Sequence, residues 1–193
     1  MIDLISLGGN LGSLKRTFTR LNIKYNEVSE LKDLSGDIPI VLPGVGSFGA
    51  VIENLRKTGL KEEIKRAVIN NVPILGICAG MQILFEKSME NPEVRGMGLI
   101  EGDVIRFNAP KVPQIGWNLI IPVNNKSNYQ GYVYFVNSFY CRPKDTSVVL
   151  FKSDYYGEFC AAVKMNNITG FQFHHEKSMD FGQDLIRKWY DAL

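Results

Sequence analysis

A cysteine at the end of an apolar run is the pattern in this sequence best suited to chemistry. Residues 74–82, Ile-Leu-Gly-Ile-Cys-Ala-Gly-Met-Gln, predict a buried strand that ends in Gly-x-Cys-x-Gly and continues directly into a helix. This is the cysteine counterpart of the Gly-x-Ser-x-Gly nucleophile elbow, in which a sharp turn strains the nucleophile's backbone. The glycines let neighbouring backbone approach closely, and the helix N-terminus favours a thiolate. Cys78 is therefore the candidate nucleophile, and the N–H of Ala79 is a candidate oxyanion donor.

The alternative for Cys78 is a small buried cysteine at a strand end, because free cysteine is among the most buried residue types. Cys141 and Cys160 fit that alternative, since neither is flanked by glycines. The chain has 3 widely spaced cysteines, and this odd number argues against a disulfide framework or a zinc site.

A cysteine nucleophile needs a base, and the two histidines of the chain, His174 and His175, are adjacent. In an extended segment alternate side chains share a face, so we expect His174 and Glu176 on one side and His175 on the other. The sequence thus favours His174 as the base, Glu176 as its carboxylate partner and His175 outside the relay. The alternative is a polar strand end whose histidines contact solvent.

Two further segments are candidates for substrate contacts. Residues 43–46, Pro-Gly-Val-Gly, follow a buried strand and could bring backbone N–H groups to a substrate oxygen; the alternative is an ordinary turn between a strand and a helix. Gln82 lies one helical turn after Cys78, so both can face one cleft, although Gln82 taken alone is typical of a surface residue.

The elements that position these residues alternate in the first half. Apolar runs predict strands at residues 2–7, 38–42 and 72–77. Helices are predicted from about Leu11 to Asn22, from Ser47 or Phe48, over 61–70, and from the elbow to about Lys87. This alternation predicts an α/β fold with a mostly parallel central sheet and helices on both faces.

The second half predicts a smaller, largely antiparallel region. Strands are expected at 99–107, 117–123, 132–136, 148–152, 160–165 and 168–173, with a hairpin turn at 165–168. A closing helix repeats Phe181, Leu185 and Trp189 every four residues. Because no linker or internal repeat interrupts the pattern, we expect residues 1–193 to form one domain.

The composition limits the function classes. Hydrophobic residues make up 45% and charged residues 22%, as in ordinary soluble proteins. A net charge of +2 without a Lys/Arg block argues against nucleic acid as a partner. No apolar run approaches the ~18 residues that span a membrane, and the apolar start lacks the basic lead of a signal peptide. We therefore expect reduced thiols, a cytoplasmic location and no membrane partner.

These segments resemble the class I, or triad-type, glutamine amidotransferases, whose fold is flavodoxin-like. The chain is more narrowly similar to the glutaminase subunits of imidazole glycerol phosphate synthase, which act in histidine biosynthesis. The similarity runs nearly end to end. It rests on residues 5–10, 42–49, 76–82, 111–118, 132–138 and 170–178.

The resemblance implies hydrolysis of L-glutamine by a triad of Cys78, His174 and Glu176, with no metal or organic cofactor. It also implies roles around the substrate. Oxyanion contacts are implied for Val45, Gly46 and Ala79, and glutamine-binding contacts for Gly46, Gln82, Glu90 and Ser138.

The resemblance further implies a heterodimer with a (β/α)₈-barrel cyclase subunit. That partner receives ammonia through a tunnel and makes imidazole glycerol phosphate and AICAR. The residues implied to face it are Asn10, Trp117, Asn118 and Lys177.

The sequence departs from the family pattern at four places. The first turn, 7–10, is one residue shorter than usual; Ala79 replaces a common leucine, His175 a common proline, and Asn137 a frequent histidine. None of these removes a catalytic group. Three other functions stay open: a paralogue supplying ammonia for amidination of a surface-polysaccharide sugar, a cysteine peptidase-like hydrolase, and a non-catalytic interaction domain.

Overall fold

The computed structural model describes residues 1–6, 11–44, 46–123 and 129–193. The predicted glycine turn at 7–10, with Asn10, and the candidate oxyanion donor Val45 lie outside the described residues. The helices are α1 (Gly12–Arg20), α2 (Phe48–Lys57), α3 (Leu60–Ile69), α4 (Ala79–Gln82) and α5 (Met179–Asp191). The strands are β1 (Ile2–Ile5), β2 (Tyr25–Val28), β3 (Ile40–Gly44), β4 (Ile74–Cys78), β5 (Lys87–Ser88), β6 (Gly102–Arg106), β7 (Gln114–Pro122), β8 (Gly131–Asn137), β9 (Phe139–Pro143), β10 (Val149–Asp154), β11 (Glu158–Met165) and β12 (Ile168–Phe171).

Within the described residues, a 9-stranded sheet runs in the order β2-β1-β3-β4-β12-β11-β10-β7-β8. The first five strands in that order are parallel, and the remaining pairs are antiparallel. The predicted mostly parallel sheet with an antiparallel region is therefore confirmed, and the antiparallel strands continue the same sheet. A separate 3-stranded sheet has the order β5-β6-β9.

Both faces of the parallel part are buried. Ile40 and Leu42 of β3 pack into the core that includes apolar residues of α2 and α3. Val41, between them, packs into the core that includes residues of α1 and α5. Because successive side chains of a strand point to opposite faces, a strand covered on both sides reads as a continuous apolar run. The predicted helices on both faces are thus confirmed.

The helix after Cys78 ends at Gln82, so its predicted extension to about Lys87 is wrong. A helix would continue by giving the carbonyls of residues 83–86 to later N–H groups of the same helix. Instead the carbonyl of Ile83 accepts from Met97, that of Leu84 from Leu99 and that of Glu86 from Gly96. A tertiary contact with residues 96–100 therefore ends the helix.

β3 extends through Pro43 and Gly44, which were expected to interrupt it. Gly44 stays in register with Cys78 of β4, whereas the described register of β3 with β1 ends at the Leu4–Val41 pair. Proline has no N–H, so it is tolerated in a strand where no neighbouring strand on that side accepts a hydrogen bond from it. The strands β2, β5 and β9 were not predicted. The strands that were predicted are present, and the predicted hairpin turn after Met165 is confirmed.

No helix among the described residues is long and apolar enough to cross a membrane.

Candidate active site

Cys78 occupies a strained turn between β4 and α4. Its backbone has φ 54° and ψ −114°, in the left-handed half of φ space that side chains other than glycine rarely adopt. Such strain persists only where surrounding structure enforces it. The predicted elbow, with a strained nucleophile between strand and helix, is therefore confirmed as a conformation.

Three glycines allow that turn to pack against neighbouring backbone. A Cβ atom on Gly80 would lie 1.9 Å from the carbonyl oxygen of Leu42, and one on Gly76 would lie 2.6 Å from the carbonyl oxygen of Gly80. A Cβ on Gly44 would lie 2.3 Å from the backbone nitrogen of Ala79. The expected close approach of backbone is confirmed, and it brings the end of β3 against the first residue after Cys78.

His174 reaches Cys78 from the neighbouring strand. β12 is parallel to β4 with Phe171 opposite Ile77, so the chains leaving both strands emerge at the same edge of the sheet. His174 follows β12, and its N–H donates to the carbonyl of Tyr134 at 2.9 Å. Ser178 adds a second anchor, because its hydroxyl donates to the carbonyl of His174 at 2.6 Å.

His174 connects Cys78 to Glu176. Its Nδ1 lies 2.9 Å from Oε1 of Glu176, and its ring interacts with the side chain of Cys78. Burial lowers the pKa of His174, but the hydrogen bonds and charges of Cys78 and Glu176 outweigh burial and raise that pKa overall. Burial raises the pKa of Glu176, yet the hydrogen bond from His174 and the charge of His174 hold it below its usual range. The arrangement therefore favours an imidazolium at His174 and a carboxylate at Glu176.

The segment after His174 was expected to be extended, and this prediction is wrong. Residues His175–Lys177 form a 3₁₀ turn, because the N–H of Lys177 donates to the carbonyl of His174 and that of Ser178 to the carbonyl of His175. The ring of His175 is fully buried, so it does not contact solvent. Burial lowers the pKa of His175 to about 4, which keeps it neutral.

Gln82 is buried rather than on the surface. Its side-chain nitrogen donates to the carbonyl of Phe139 at 3.0 Å and to Oε1 of Gln172 at 3.1 Å. Gln172 is itself fully buried, and its amide nitrogen lies 3.8 Å from Sγ of Cys78. Gln172 was not predicted from the sequence, although a glutamine between two phenylalanines is an unusual residue for an apolar strand end.

Glu90 lies at the start of α2. Its Oε2 accepts from the N–H of Phe48 at 2.7 Å, beside the hydrogen bond from Gly49 to Asn91 at 2.9 Å. Gly46, two residues before Phe48, is exposed and has φ 115°. The structure thus joins Glu90 to the helix that follows the candidate oxyanion loop.

Ser138 is half-buried between β8 and β9, and its carbonyl accepts from the N–H of Phe107 at 3.1 Å. The next residue, Phe139, supplies the carbonyl that binds Gln82. The described partners of Ser138 do not include the triad residues.

Two of the candidate partner residues, Trp117 and Lys177, lie against Tyr134. The ring of Trp117, 45% exposed, contacts the ring of Tyr134 edge to face at 5.8 Å. Nζ of Lys177 lies 5.7 Å from the centre of the Tyr134 ring. Asn118 donates to the carbonyl of Asp154. Tyr134, whose carbonyl anchors His174, therefore connects this surface to the site.

The described parts of the chain contain no group of three His, Cys, Asp or Glu side chains that could hold a metal ion.

Comparisons with known proteins agree with this geometry. The family model described as glutamine amidotransferase class-I matches residues 6–192. The imidazole glycerol phosphate synthase subunit HisH of Carboxydothermus hydrogenoformans is 40% identical over 191 residues, which cover 96% of this chain and 96% of that protein. The subunit of the same name from Methanothermobacter thermautotrophicus is 38% identical over 199 residues, covering 100% of this chain and 99% of that protein.

Solved structures share the fold. A crystal structure of a glutamine amidotransferase superposes with a TM-score of 0.80 at 21% identity, covering 98% of this chain and 97% of that one. A chain of the PurLQS structure from Thermotoga maritima gives 0.71 at 20% identity, covering 99% and 97%. At these identities the likeness concerns the fold alone.

Proposed function

The chain belongs to the class-I glutamine amidotransferase family, and we propose that it hydrolyses L-glutamine to glutamate and ammonia as the glutaminase subunit of an imidazole glycerol phosphate synthase. The observation that carries the proposal is the arrangement of Cys78, His174 and Glu176 at the shared edge of β4 and β12, in which His174 hydrogen-bonds to Glu176 and interacts with Cys78. A peptidase-like hydrolase is disfavoured by the identity to glutaminase subunits over nearly the whole chain.

The proposed reaction uses a thiolate nucleophile. Sγ of Cys78 attacks the side-chain amide carbon of glutamine, and the carbonyl oxygen becomes an oxyanion. His174, held as an imidazolium by Glu176, gives its proton to the leaving nitrogen, so ammonia departs and a thioester remains. The neutral His174 then takes a proton from water, whose oxygen attacks the thioester. Glutamate leaves, and the thiolate and imidazolium are restored.

Backbone N–H groups are proposed to hold the oxyanion, from Ala79 and from the loop with Val45 and Gly46. The close contact of Gly44 with Ala79 supports this, because it brings the two loops together. Removing one such donor typically costs ~2.7–4 kcal/mol of transition-state stabilisation.

Four residues are proposed to bind glutamine. The contacts described for two of them indicate that they also hold other parts of the site in place. Glu90 caps the helix after the oxyanion loop, and Gln82 holds Gln172 against Cys78. The full set is Gly46, Gln82, Glu90 and Ser138.

The ammonia is proposed to pass to a (β/α)₈-barrel cyclase subunit in a heterodimer. The relatives are named as subunits of a synthase, which supports a partner. The proposed interface includes Asn10, Trp117, Asn118 and Lys177, of which Trp117 and Lys177 expose apolar and charged surface beside Tyr134. Histidine biosynthesis and the free cysteines support a cytoplasmic location. Residues 1–193 are proposed to act as one domain.

A steady-state glutaminase assay, run with and without the cyclase subunit, tests the proposal. We expect the isolated chain to be nearly inactive and the complex to form glutamate and to transfer ammonia to the cyclase product. A complex that leaves glutamine unchanged contradicts the function. Full activity of the chain alone contradicts the dependence on a partner.

A further inference from the structure

His175 is a buried polar side chain that the proposed reaction does not use. Its exposure is 0%, and neither ring nitrogen has a hydrogen-bond partner among the described residues. A buried donor without a partner costs free energy, so native proteins rarely keep one without a reason. The chain nevertheless holds this ring directly beside the base His174.

Glu176 presents the complementary atom. Its Oε1 accepts from Nδ1 of His174, while its Oε2 is buried and has no hydrogen-bond partner in the described part of the chain. An ionised carboxylate only accepts hydrogen bonds, and a buried oxygen without a donor is unfavourable. The triad carboxylate therefore has one oxygen bound and one oxygen unsatisfied.

The two unsatisfied groups face each other. Nδ1 of His175 lies 3.7 Å from Oε2 of Glu176. A movement of roughly 0.7 Å would bring them to the usual hydrogen-bond distance of about 3.0 Å. A neutral imidazole carries one N–H, and placing it on Nδ1 makes that nitrogen the donor while Nε2 becomes an acceptor.

The backbone of His175 is held firmly in place. Its carbonyl accepts from the N–H of Ser178 at 3.0 Å. A Cβ atom on Gly182 would lie 2.4 Å from that carbonyl oxygen, so α5 packs directly against the turn. The ring is thus presented to Glu176 by close packing on its own backbone.

We propose that His175 is a positioning residue for glutamine hydrolysis, whose Nδ1–H donates to Oε2 of Glu176 and fixes the carboxylate that orients His174. The inference rests on the proposed function and adds a residue to it. His175 exchanges no proton with substrate; it satisfies the second carboxylate oxygen, so that Oε1 stays aligned with the base during turnover.

Three substitutions test the inference in the complex with the cyclase subunit. His175→Asn keeps an N–H near the position of Nδ1, His175→Gln places its N–H near the position of Nε2, and His175→Leu fills the space without a donor. The measurements are kcat and KM for glutamine, and the rate at which a chloroketone analogue of glutamine alkylates Cys78 in the chain alone. Thermal unfolding of each variant measures the structural cost separately.

We expect His175→Gln and His175→Leu to lose about tenfold in kcat and in alkylation rate, with KM little changed, and His175→Asn to stay within about threefold of the original chain. Equal losses in Asn and Gln variants, or full activity in all of them, would overturn the inference. If His175→Leu does not fold, the Asn–Gln pair still decides. An original chain that neither hydrolyses glutamine in the complex nor reacts with the analogue would overturn the proposed function and, with it, this inference.

Discussion

The Cys78 elbow and the His174 segment lie on neighbouring strands but are held by different interactions. At the elbow, Gly76 and Gly80 let backbone pack on backbone with no room for a Cβ atom. At His174, hydrogen bonds from Ser178 and to Tyr134 and Glu176 fix the chain. Close packing of backbone on backbone tolerates almost no added atom. In a hydrogen-bond network, one bond can be removed while the others remain. The comparison predicts different mutational responses on the two sides of one site.

Removing the sulfur gives the largest expected effect. We expect Cys78→Ala to lower kcat for glutamine by at least about 10⁴-fold, because the sulfur proposed to attack the amide is lost. Thermal unfolding should change little, since the side chain is only partly buried. Cys160→Ala is the matched control, a buried thiol on β11: it should cost about 1 kcal/mol of stability and keep activity. Substantial turnover by Cys78→Ala would remove the nucleophile from the proposal.

A methyl group at the elbow is the next largest change. Gly80→Ala places a Cβ 1.9 Å from the carbonyl oxygen of Leu42, so β3 and the elbow must separate. We expect about 3 kcal/mol of lost stability and at least about a tenfold fall in kcat, because the proposed nucleophile and the proposed oxyanion donors move apart. Urea unfolding and steady-state kinetics measure the two effects.

Gly98→Ala is the control for Gly80→Ala. Gly98 has φ 61° and open space around its Cβ position. Alanine there should lower stability only by the cost of a left-handed backbone, about 1–2 kcal/mol. Activity should be retained. Equal effects of the two substitutions on kcat would show that the elbow does not depend on close packing.

Loss of one hydrogen-bonding group on the His174 side should be milder. The hydroxyl of Ser178 donates to the carbonyl of His174 and accepts from the N–H of Tyr134 at 2.9 Å. We expect Ser178→Ala to cost about 1–3 kcal/mol of stability and to lower kcat about fivefold, because His174 gains freedom. The control is Ser153→Ala, a buried serine whose hydroxyl donates to the carbonyl of Leu119 at 2.8 Å. Ser153→Ala should match the stability loss and spare kcat; equal kcat losses would contradict a local role for Ser178.

The same difference explains what the sequence could predict. The elbow follows from local spacing, since Gly76, Cys78 and Gly80 lie within one strand-to-helix turn. Its partner histidine was found because His174 and His175 are the only histidines in the chain. The alternation of apolar runs with helices was sufficient for the parallel half of the sheet, because both faces of those strands are buried.

What the sequence missed depends on contacts far apart along the chain. The end of α4 is set by carbonyls that bind residues 96–100. The short strand β5 has a partner only because β6 lies beside it. No local pattern contains these partners, so local propensity made the predicted helix too long and left β5 unpredicted.

The smallest expected effect is a difference in the pH at which the two adjacent histidines titrate. Hydrogen bonds raise the pKa of His174 above 6.5 despite burial, so its contribution to stability is present below pH 6.5 and is lost as pH rises toward its folded pKa. Burial lowers the pKa of His175 from 6.5 to about 4, so its contribution is present above pH 6.5 and is lost as pH falls toward 4.

NMR titration of the two imidazole rings should therefore give one pKa on each side of 6.5. In unfolding experiments, the stability difference between the original chain and His175→Leu should change by up to ~1.4 kcal/mol per pH unit as pH falls from about 6.5 to 4. Cys78→Ala should lower the pKa of His174, because the interaction with Cys78 that raises this pKa is lost, and should leave the pKa of His175 unchanged. Two rings that titrate together would contradict the opposite environments, since a solvated pair of histidines has no reason to differ.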